Sequence, residues 1–219
     1  MLSICKSFGA KYNPSNPALQ LPQMTSSLAL SKECMSSLNT VQATFSNALS
    51  ARGGVFKPFK ALVTRIGNAV KASGVSKQTQ EQVTAIVRKL QGRRATPKLS
   101  EEEKQAAQAA GQEVVEISSA QTSIDNLLEN FDKLIKLLAS IPEYAPNETE
   151  LTVSSLTAHY ADMFAKNQAV IDAEQPLNSL RITRNELLYN ENTGIVNVAN
   201  AAKLYTKSVF GATSPQYKQ

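Results

Sequence analysis

The feature that most constrains the fold is a heptad pattern of apolar residues in the middle of the chain. Its members recur at alternating steps of three and four residues: Val114, Ile117, Gln121, Ile124, Leu128, Phe131, Ile135 and Leu138. This spacing places them on one side of an α-helix, where they can pack against neighbouring helices. The pattern predicts a protein built from long helices packed side by side.

The composition favours the same fold class. The chain of 219 residues is 42% hydrophobic and 19% charged, with no Trp, as expected for an ordered protein. Because aromatic residues make up only 6%, the core must depend on Leu, Val, Ile and Ala. We expect an all-α protein, an elongated bundle of about six helices of which two are very long.

Proline, glycine and capping residues predict where the helices begin and end. Gly53 and Gly54 should end the first helix, because adjacent glycines are poor helix formers. Ser100 and Glu103 form a capping box that should start the long helix carrying the heptad pattern. Pro176 should kink or break the helix that contains it. The predicted helices span 26–52, 58–74, 76–91, 100–140, 147–189 and 195–211.

Three prolines near the start, Pro14, Pro17 and Pro22, lie among Ser, Asn and Gln and predict an extended segment. The predicted organisation is an extended arm at 1–25, a single helical-bundle domain at 26–212 with possible halves at 26–99 and 100–212, and a tail at 213–219.

A second seam lies in the first helix: Leu28, Ser31, Met35, Leu38, Gln42, Phe45 and Leu49. At an offset of 132 residues, several of its apolar positions fall on those of the helix at 147–189, and Arg52 falls on Arg184. The match suggests a pseudo-twofold repeat of long helix, corner and short helix. Chance coincidence of apolar positions is the alternative.

Several segments resemble those of an uncharacterised all-helical protein family of Bacteroidota-type bacteria. They are Asp132–Leu138, Tyr144–Asn147, Arg184–Asn190, Lys207–Gly211 and Ser214–Lys218. The resemblance implies a helical fold and nothing about chemistry.

No residue pattern indicates catalysis, a metal site or a cofactor. His159 is the single histidine, whereas a di-metal bundle usually needs two Glu-x-x-His motifs. The two cysteines, Cys5 and Cys34, have no metal-ligand spacing. No serine lies in a Gly-x-Ser-x-Gly turn, and no glycine-rich phosphate loop occurs. We therefore predict a non-enzymatic protein.

A basic group is the first candidate interaction site: Arg88, Lys89, Arg93, Arg94 and Lys98. It could be a solvated loop, a contact for an acidic protein, or a phosphate contact for nucleic acid or anionic lipid. No aromatic residue is interleaved for base stacking, which disfavours nucleic acid.

Polar residues at seam positions form the second candidate set: Gln42, Gln121 and Asn167. A buried amide costs stability but can fix the register of packed helices. The alternative is that these residues lie at the edge of the bundle.

Charge is unevenly distributed along the chain. Residues 1–110 carry a net charge of +10, and residues 111–219 carry −5. Opposite charges can attract within one molecule or between neighbouring copies.

The favoured function is a structural or protein–protein interaction subunit that could self-assemble. A membrane-active helical protein resembling pore-forming toxins is one alternative, and nucleic-acid binding through the basic first half is another. The expected partner is therefore a protein, either a second copy or a different chain. The opening residues contain no long apolar run typical of a signal peptide. Cytoplasmic residence is expected, with non-classical export as the alternative.

Overall fold

A computed structural model describes residues 1–93 and 123–218, together with 102, 105, 106, 109 and 110. These residues form helices and turns without a strand, which confirms the all-α prediction. The α-helices are α1 Leu2–Ser7, α2 Leu21–Phe56, α3 Phe59–Ala72, α4 Lys77–Gln91, α5 Ile124–Ala139, α6 Val153–Tyr189, α7 Ile195–Phe210 and α8 Pro215–Lys218. Single 3₁₀ turns lie at Gly9–Lys11, Pro17–Leu19 and Thr149–Leu151.

The chain forms two compact units. Unit 1 comprises Met1–Asn47 and Ile171–Gln219, and unit 2 comprises Ala48–Val170. The division falls inside α2 and inside α6, so each unit contains one end of each long helix. These units do not coincide with the possible halves at 26–99 and 100–212, because a long helix can change its packing partners along its length.

Unit 2 has a large apolar core. Phe59 of α3 and Phe131 of α5 meet edge to face, with ring centroids 4.7 Å apart. Helix α4 packs against both α3 and α5, and Gly67 of α3 lies beside Val87 of α4. Each fully buried large side chain contributes about 1.5–3 kcal/mol, so this cluster dominates the stability of unit 2.

The long helix predicted from Ser100 to Ser140 is not continuous. Ser123 has extended backbone angles (φ −61°, ψ 151°), and its hydroxyl accepts a hydrogen bond from the Asn126 N–H. This cap starts α5 at Ile124. Within α5 the predicted seam is confirmed by the burial of Leu128, Phe131, Ile135 and Leu138. Val114, Ile117, Gln121 and the proposed capping box lie outside the described residues.

The predicted end of the first helix at Gly53–Gly54 is also wrong, since α2 continues to Phe56. Each glycine costs only about 1 kcal/mol relative to alanine. Beyond them, Val55 and Phe56 pack against the unit 2 core. Tertiary burial therefore outweighs the local preference.

The predicted arm at 1–25 is folded rather than extended. Helix α1, two 3₁₀ turns and the first turn of α2 occupy it. Cys5, Tyr12, Leu19 and Met24 are buried in a cluster with Val198 and Ala202 of α7. The prolines do not prevent this, because Pro17 and Pro22 lie in first turns, where a missing N–H leaves no bond unmade. The predicted tail likewise contains α8, which packs against α7.

At Met35, Gln42 and Leu49 the predicted seam of α2 is one residue past the more buried position. Ser31, Cys34 and Leu38 are buried, whereas Met35 and Leu49 are 40% and 37% exposed. Neighbouring residues of a helix point about 100° apart, so apolar spacing alone does not separate the inward position from the one beside it. Helix α6 continues through Pro176, so the proline does not break the helix that contains it.

The element order repeats at the predicted offset of 132 residues. The 3₁₀ turn Pro17–Leu19 corresponds to Thr149–Leu151, and the start of α2 at Leu21 corresponds to that of α6 at Val153. Helix α7 packs against the first turn, and α3 packs against the second. Unit 1 and unit 2 therefore contain equivalent elements.

A tyrosine hydroxyl forms a hydrogen bond with the last residue of each of these turns. The Tyr12 hydroxyl donates to the Leu19 carbonyl oxygen at 3.0 Å, and the Tyr144 hydroxyl donates to the Leu151 carbonyl oxygen at 2.8 Å. Both tyrosines are 6% exposed. The bond ties the polypeptide that precedes each long helix to the turn from which that helix starts.

The corners after α3 and α7 also correspond. Gly74 and Gly211 follow the two helices with φ of +78° and +87°, values that favour glycine. Ser76 and Ser214 then accept hydrogen bonds from the N–H groups of Thr79 and Tyr217. Helix α8 therefore stands in the position of the first turn of α4.

Replacing Tyr144 with Phe should lower the free energy of unfolding by about 1 kcal/mol, because the Leu151 carbonyl loses its donor. Urea denaturation measures this loss, and Tyr189→Phe, at a position 61% exposed, is the control. Equal stability of the variant and the parent would contradict the assigned role of the hydroxyl.

The same variant should change the alkaline stability profile. Burial raises the pKa of Tyr144 from 10.0 to about 12, with a further contribution from Glu148. The folded chain thus holds this proton more tightly than the unfolded chain. Its stabilisation is complete below pH 10.0 and declines as the pH rises to about 12. Denaturation across this window should show a shallower decline for Tyr144→Phe, and an unchanged slope would oppose the assignment.

Gly194 provides a second test, at the corner between α6 and α7. A Cβ at Gly194 would lie 2.5 Å from both the backbone N and O of Asn190. We expect Gly194→Ala to destabilise the protein by about 1–3 kcal/mol through overpacking. Gly54→Ala is the matched control, since its Cβ would meet nothing within 4 Å and alanine should stabilise α2 by roughly 0.5–1 kcal/mol. Chemical denaturation measures the free energy of unfolding of both variants. A change in the same direction for both would contradict the close approach of Gly194 to the Asn190 backbone.

Candidate functional site

The basic group is only partly described. Arg88 and Lys89 lie in the last turn of α4, and Arg93 follows the left-handed cap residue Gly92. Cations at a helix C-terminus are stabilised by the helix dipole, which accounts for Arg88 and Lys89 without a ligand. Arg94 and Lys98 lie outside the described residues. The proposed partner or anion contact at these residues stays a prediction.

Acidic residues on α5 lie near this group. The pKa of Glu129 is lowered, chiefly by its hydrogen bond to Lys133 and in smaller part by the charge of Lys89. Lys136 pairs with Asp132 in the same way, at 2.6 Å. Such exposed pairs one helical turn apart contribute only a few tenths of a kcal/mol, so they mark a solvated face rather than a site.

Asn167 is the polar seam residue that the structure places in the interior. It is 7% exposed. Its Oδ1 accepts a hydrogen bond from Arg52 Nη1 at 3.0 Å, and its Nδ2 donates to Asp125 Oδ1 at 3.4 Å. One amide thereby links α6 to the end of α2 and to the first turn of α5.

The other two seam residues do not behave alike. Gln42 is exposed, and its Oε1 accepts a hydrogen bond from Arg181 Nη2 at 3.3 Å, so it lies at the edge of unit 1. Gln121 lies outside the described residues. Whether any of the three sets helix register stays a prediction.

Replacing Asn167 with Ala should cost about 1–3 kcal/mol, because the guanidinium of Arg52 loses an acceptor in a partly buried place. Gln42→Ala is the control and should change stability by less than about 0.5 kcal/mol. Urea denaturation of the two variants gives the comparison. Similar losses would contradict the assignment of Asn167 to the interior and Gln42 to the edge.

His159 borders an open depression of about 530 Å³ in unit 2. Its ring lies beside those of Phe59 and Phe131, at centroid distances of 6.3 and 6.1 Å. Its Nε2 is buried, with no hydrogen-bond partner among the described residues. The nearby Ser155 hydroxyl bonds with that of Thr152 at 3.0 Å. No described contact joins histidine and serine, so a hydrolytic pair is not assembled here.

Metal ligation has no support in the residues that the structure describes. They contain no group of three or more His, Cys, Asp or Glu side chains placed to hold an ion. Cys5 and Cys34 are both buried and free.

Exposed apolar residues are concentrated in unit 1. Unit 2 exposes the large side chains of Leu49 and Phe164, whereas unit 1 exposes nine among its described residues: Leu30, Met35, Ile171, Ile182, Tyr189, Val196, Leu204, Val209 and Tyr217. Single exposed apolar residues are ordinary, but aligned ones indicate contact surfaces.

Three of them form a stripe on the second half of α6. Ile171, Ile182 and Tyr189 are 43%, 71% and 61% exposed. Steps of eleven and seven residues keep them within about 20° of one direction around the helix. The stripe faces away from Ala173 and Leu177, which are buried. It is therefore an outward surface rather than the edge of the core.

A groove lies elsewhere in unit 1, between α1, α7 and α8. Its volume is about 600 Å³, and its lining combines apolar and basic side chains: Met1, Ile4, Ala199, Lys203, Thr206, Gln216, Tyr217 and Lys218. The Lys207 ammonium lies 5.9 Å from the centroid of the Tyr217 ring. Sequence patterns did not reveal this groove, because it depends on α1 packing beside α7 at the other end of the chain.

No family model, curated protein or solved structure matches this chain. Among the helices that the structure describes, none combines the length and apolar character needed to cross a membrane.

Proposed function

We propose that the protein is a non-enzymatic helical-bundle subunit that acts by binding other proteins, including a second copy of itself. The observation that carries the proposal is the stripe of Ile171, Ile182 and Tyr189 on the outer side of α6. The three residues share one side of α6 at steps of eleven and seven residues, and exposed apolar residues aligned on one side of a helix are typical of contact surfaces.

The stripe suits pairing between two identical copies. In an antiparallel arrangement centred near residue 180, Ile171 of one copy would face Tyr189 of the other. Such a twofold contact is self-complementary, because each copy offers the same patch. Side chains such as Ile and Tyr contribute most to affinity when they lie at the centre of a contact.

Sedimentation velocity across a range of protein concentrations and salt tests this association. We expect the parent protein to show concentration-dependent association. Ile182→Ser should weaken it at least about tenfold, equivalent to about 1.4 kcal/mol. Leu30→Ser, at a position 51% exposed but on α2, is the matched control and should associate as the parent does.

A strict monomer at every concentration and at low salt would rule out the proposed self-association. Equal weakening by Ile182→Ser and Leu30→Ser would remove the stripe as the contact surface. Circular dichroism of each variant confirms that helix content is retained, which is expected because both positions are exposed.

A further inference from the structure

The exposed stripe of α6 belongs to a heptad seam that also contains amide residues. The members of this seam recur at alternating steps of four and three residues: Ile171, Gln175, Asn178, Ile182, Asn185 and Tyr189. All six are exposed, and none of them is charged. The outer side of a helix that faces only water usually carries charged residues. An uncharged seam at this spacing is instead typical of a helix that packs against another helix.

The charged residues beside the seam lie on its two flanks. Glu174 and Arg181 each precede a seam residue by one position, so they share one flank. Asp172 and Glu186 each follow a seam residue by one position, and they share the other flank. All four are exposed. One flank therefore carries both signs of charge, whereas the other carries carboxylates.

These flanks discriminate between the registers in which two copies can pair. Antiparallel registers that keep seam residues opposite each other differ by whole heptads, and twofold pairing brings each flank against the same flank of the partner. The register centred near residue 180 places Ile182 against Asn178. It also brings Asp172 beside Glu186 and the two copies of Arg181 beside each other. Like charges in contact disfavour this register.

We propose that two copies pair antiparallel through α6 in the register one heptad away, centred between Gln175 and Asn178. Ile171 of one copy then faces Ile182 of the other, and Gln175 faces Asn178. Each contact occurs twice, because the arrangement has a twofold axis. The inference rests on the proposed self-association and deepens it, since it names a second copy in one orientation as the partner of the stripe.

The amide residues support this register. Asn and Gln side chains each offer a carbonyl oxygen and an NH₂ group, so Gln175 and Asn178 can exchange hydrogen bonds across the contact. In a shifted register Asn178 meets Ile182 and loses that exchange, which is costly for a polar group removed from water. A polar seam residue can fix the register of paired helices in this way.

The flanking charges support the same register. Glu174 of one copy lies within two positions of Arg181 of the other, a separation of about 3 Å along the helix axis. Arg181 donates to Gln42 through Nη2, and a guanidinium has further donors for a carboxylate. Among the described residues, no ion pair involves Glu174. The pairing supplies its partner, once on each side of the twofold axis.

Exchange of the two charges tests this contact. Glu174→Arg and Arg181→Glu should each weaken self-association at least about fivefold, because each turns two attractions into repulsions. The double variant should associate within about twofold of the parent, since both charges are then exchanged in both copies. Within one helix the two positions are about 10 Å apart, so a contact inside one molecule does not explain such recovery.

Sedimentation velocity of the full chain measures the association of each variant. Glu191→Arg is the matched control, because it makes the same change of charge at an exposed position beyond the end of α6. This control should associate as the parent does. All substituted positions are exposed, so circular dichroism should show unchanged helix content.

Disulfide formation under mild oxidation reports the register directly. Ile171→Cys/Ile182→Cys should form a covalent dimer, because these positions face each other in different copies. Each single variant should stay uncrosslinked, because its two cysteines lie about 16 Å apart along the paired helices. The native Cys5 and Cys34 are buried, so the parent serves as the control. Electrophoresis without reductant separates the covalent dimer from the monomer.

The outcomes separate the register from the proposed function. A parent protein that stays monomeric rejects self-association and the register together. A parent that associates while the double cysteine variant gives no covalent dimer rejects the register alone. Cross-linking of Ile171→Cys by itself indicates parallel pairing, and cross-linking of Ile182→Cys by itself indicates the register centred near residue 180. Either result overturns the proposal, as does a charge-exchange double variant that fails to recover the affinity of the parent.

Discussion

The length of α2 and α6 is the constraint on which the rest of the structure depends. Helices of 36 and 37 residues are about 54 Å long, and a small core covers only part of such a helix. Each is therefore buried by different neighbours at its two ends. Asn47 and Val170 mark where the partners change. This is why the compact units cut across both helices instead of dividing the chain into consecutive halves.

Both units use a buried tyrosine to fix the place at which a long helix begins. Tyr12 and Tyr144 each bury a ring and use the hydroxyl to satisfy a carbonyl group seven residues ahead. Elsewhere the two units have diverged. Arg52 bonds Asn167 in unit 2, whereas the equivalent Arg184 bonds its own neighbour Asn185 and Met35, equivalent to Asn167, is 40% exposed.

The spacing of apolar residues correctly predicted those parts of the fold that depend on residues close together in the sequence. Leu128 and Phe131 were correctly assigned to the core, since their helix has one strongly apolar side. The helix end predicted at Gly53–Gly54 was wrong, because the packing of Val55 and Phe56 outweighs the low helix propensity of two glycines. The extended arm predicted at 1–25 was wrong, because the burial of Cys5 and Tyr12 depends on α7, near the other end of the chain. Only long-range contact, such as the Asn13 N–H donating to Tyr205 across 192 positions, reveals that.

The candidate surfaces likewise depend on contacts between distant parts of the sequence. A groove between α1 and α7 has no sequence pattern of its own, because its walls are brought together by tertiary packing. The cores of the two units differ accordingly. Among the described residues, unit 2 buries more apolar side chains than unit 1, although unit 1 also buries Tyr12, Leu38 and Leu177. Unit 1 also exposes more large apolar side chains than unit 2 among the described residues. If unit 1 associates as proposed, that contact would stabilise the unit in which fewer apolar side chains are buried.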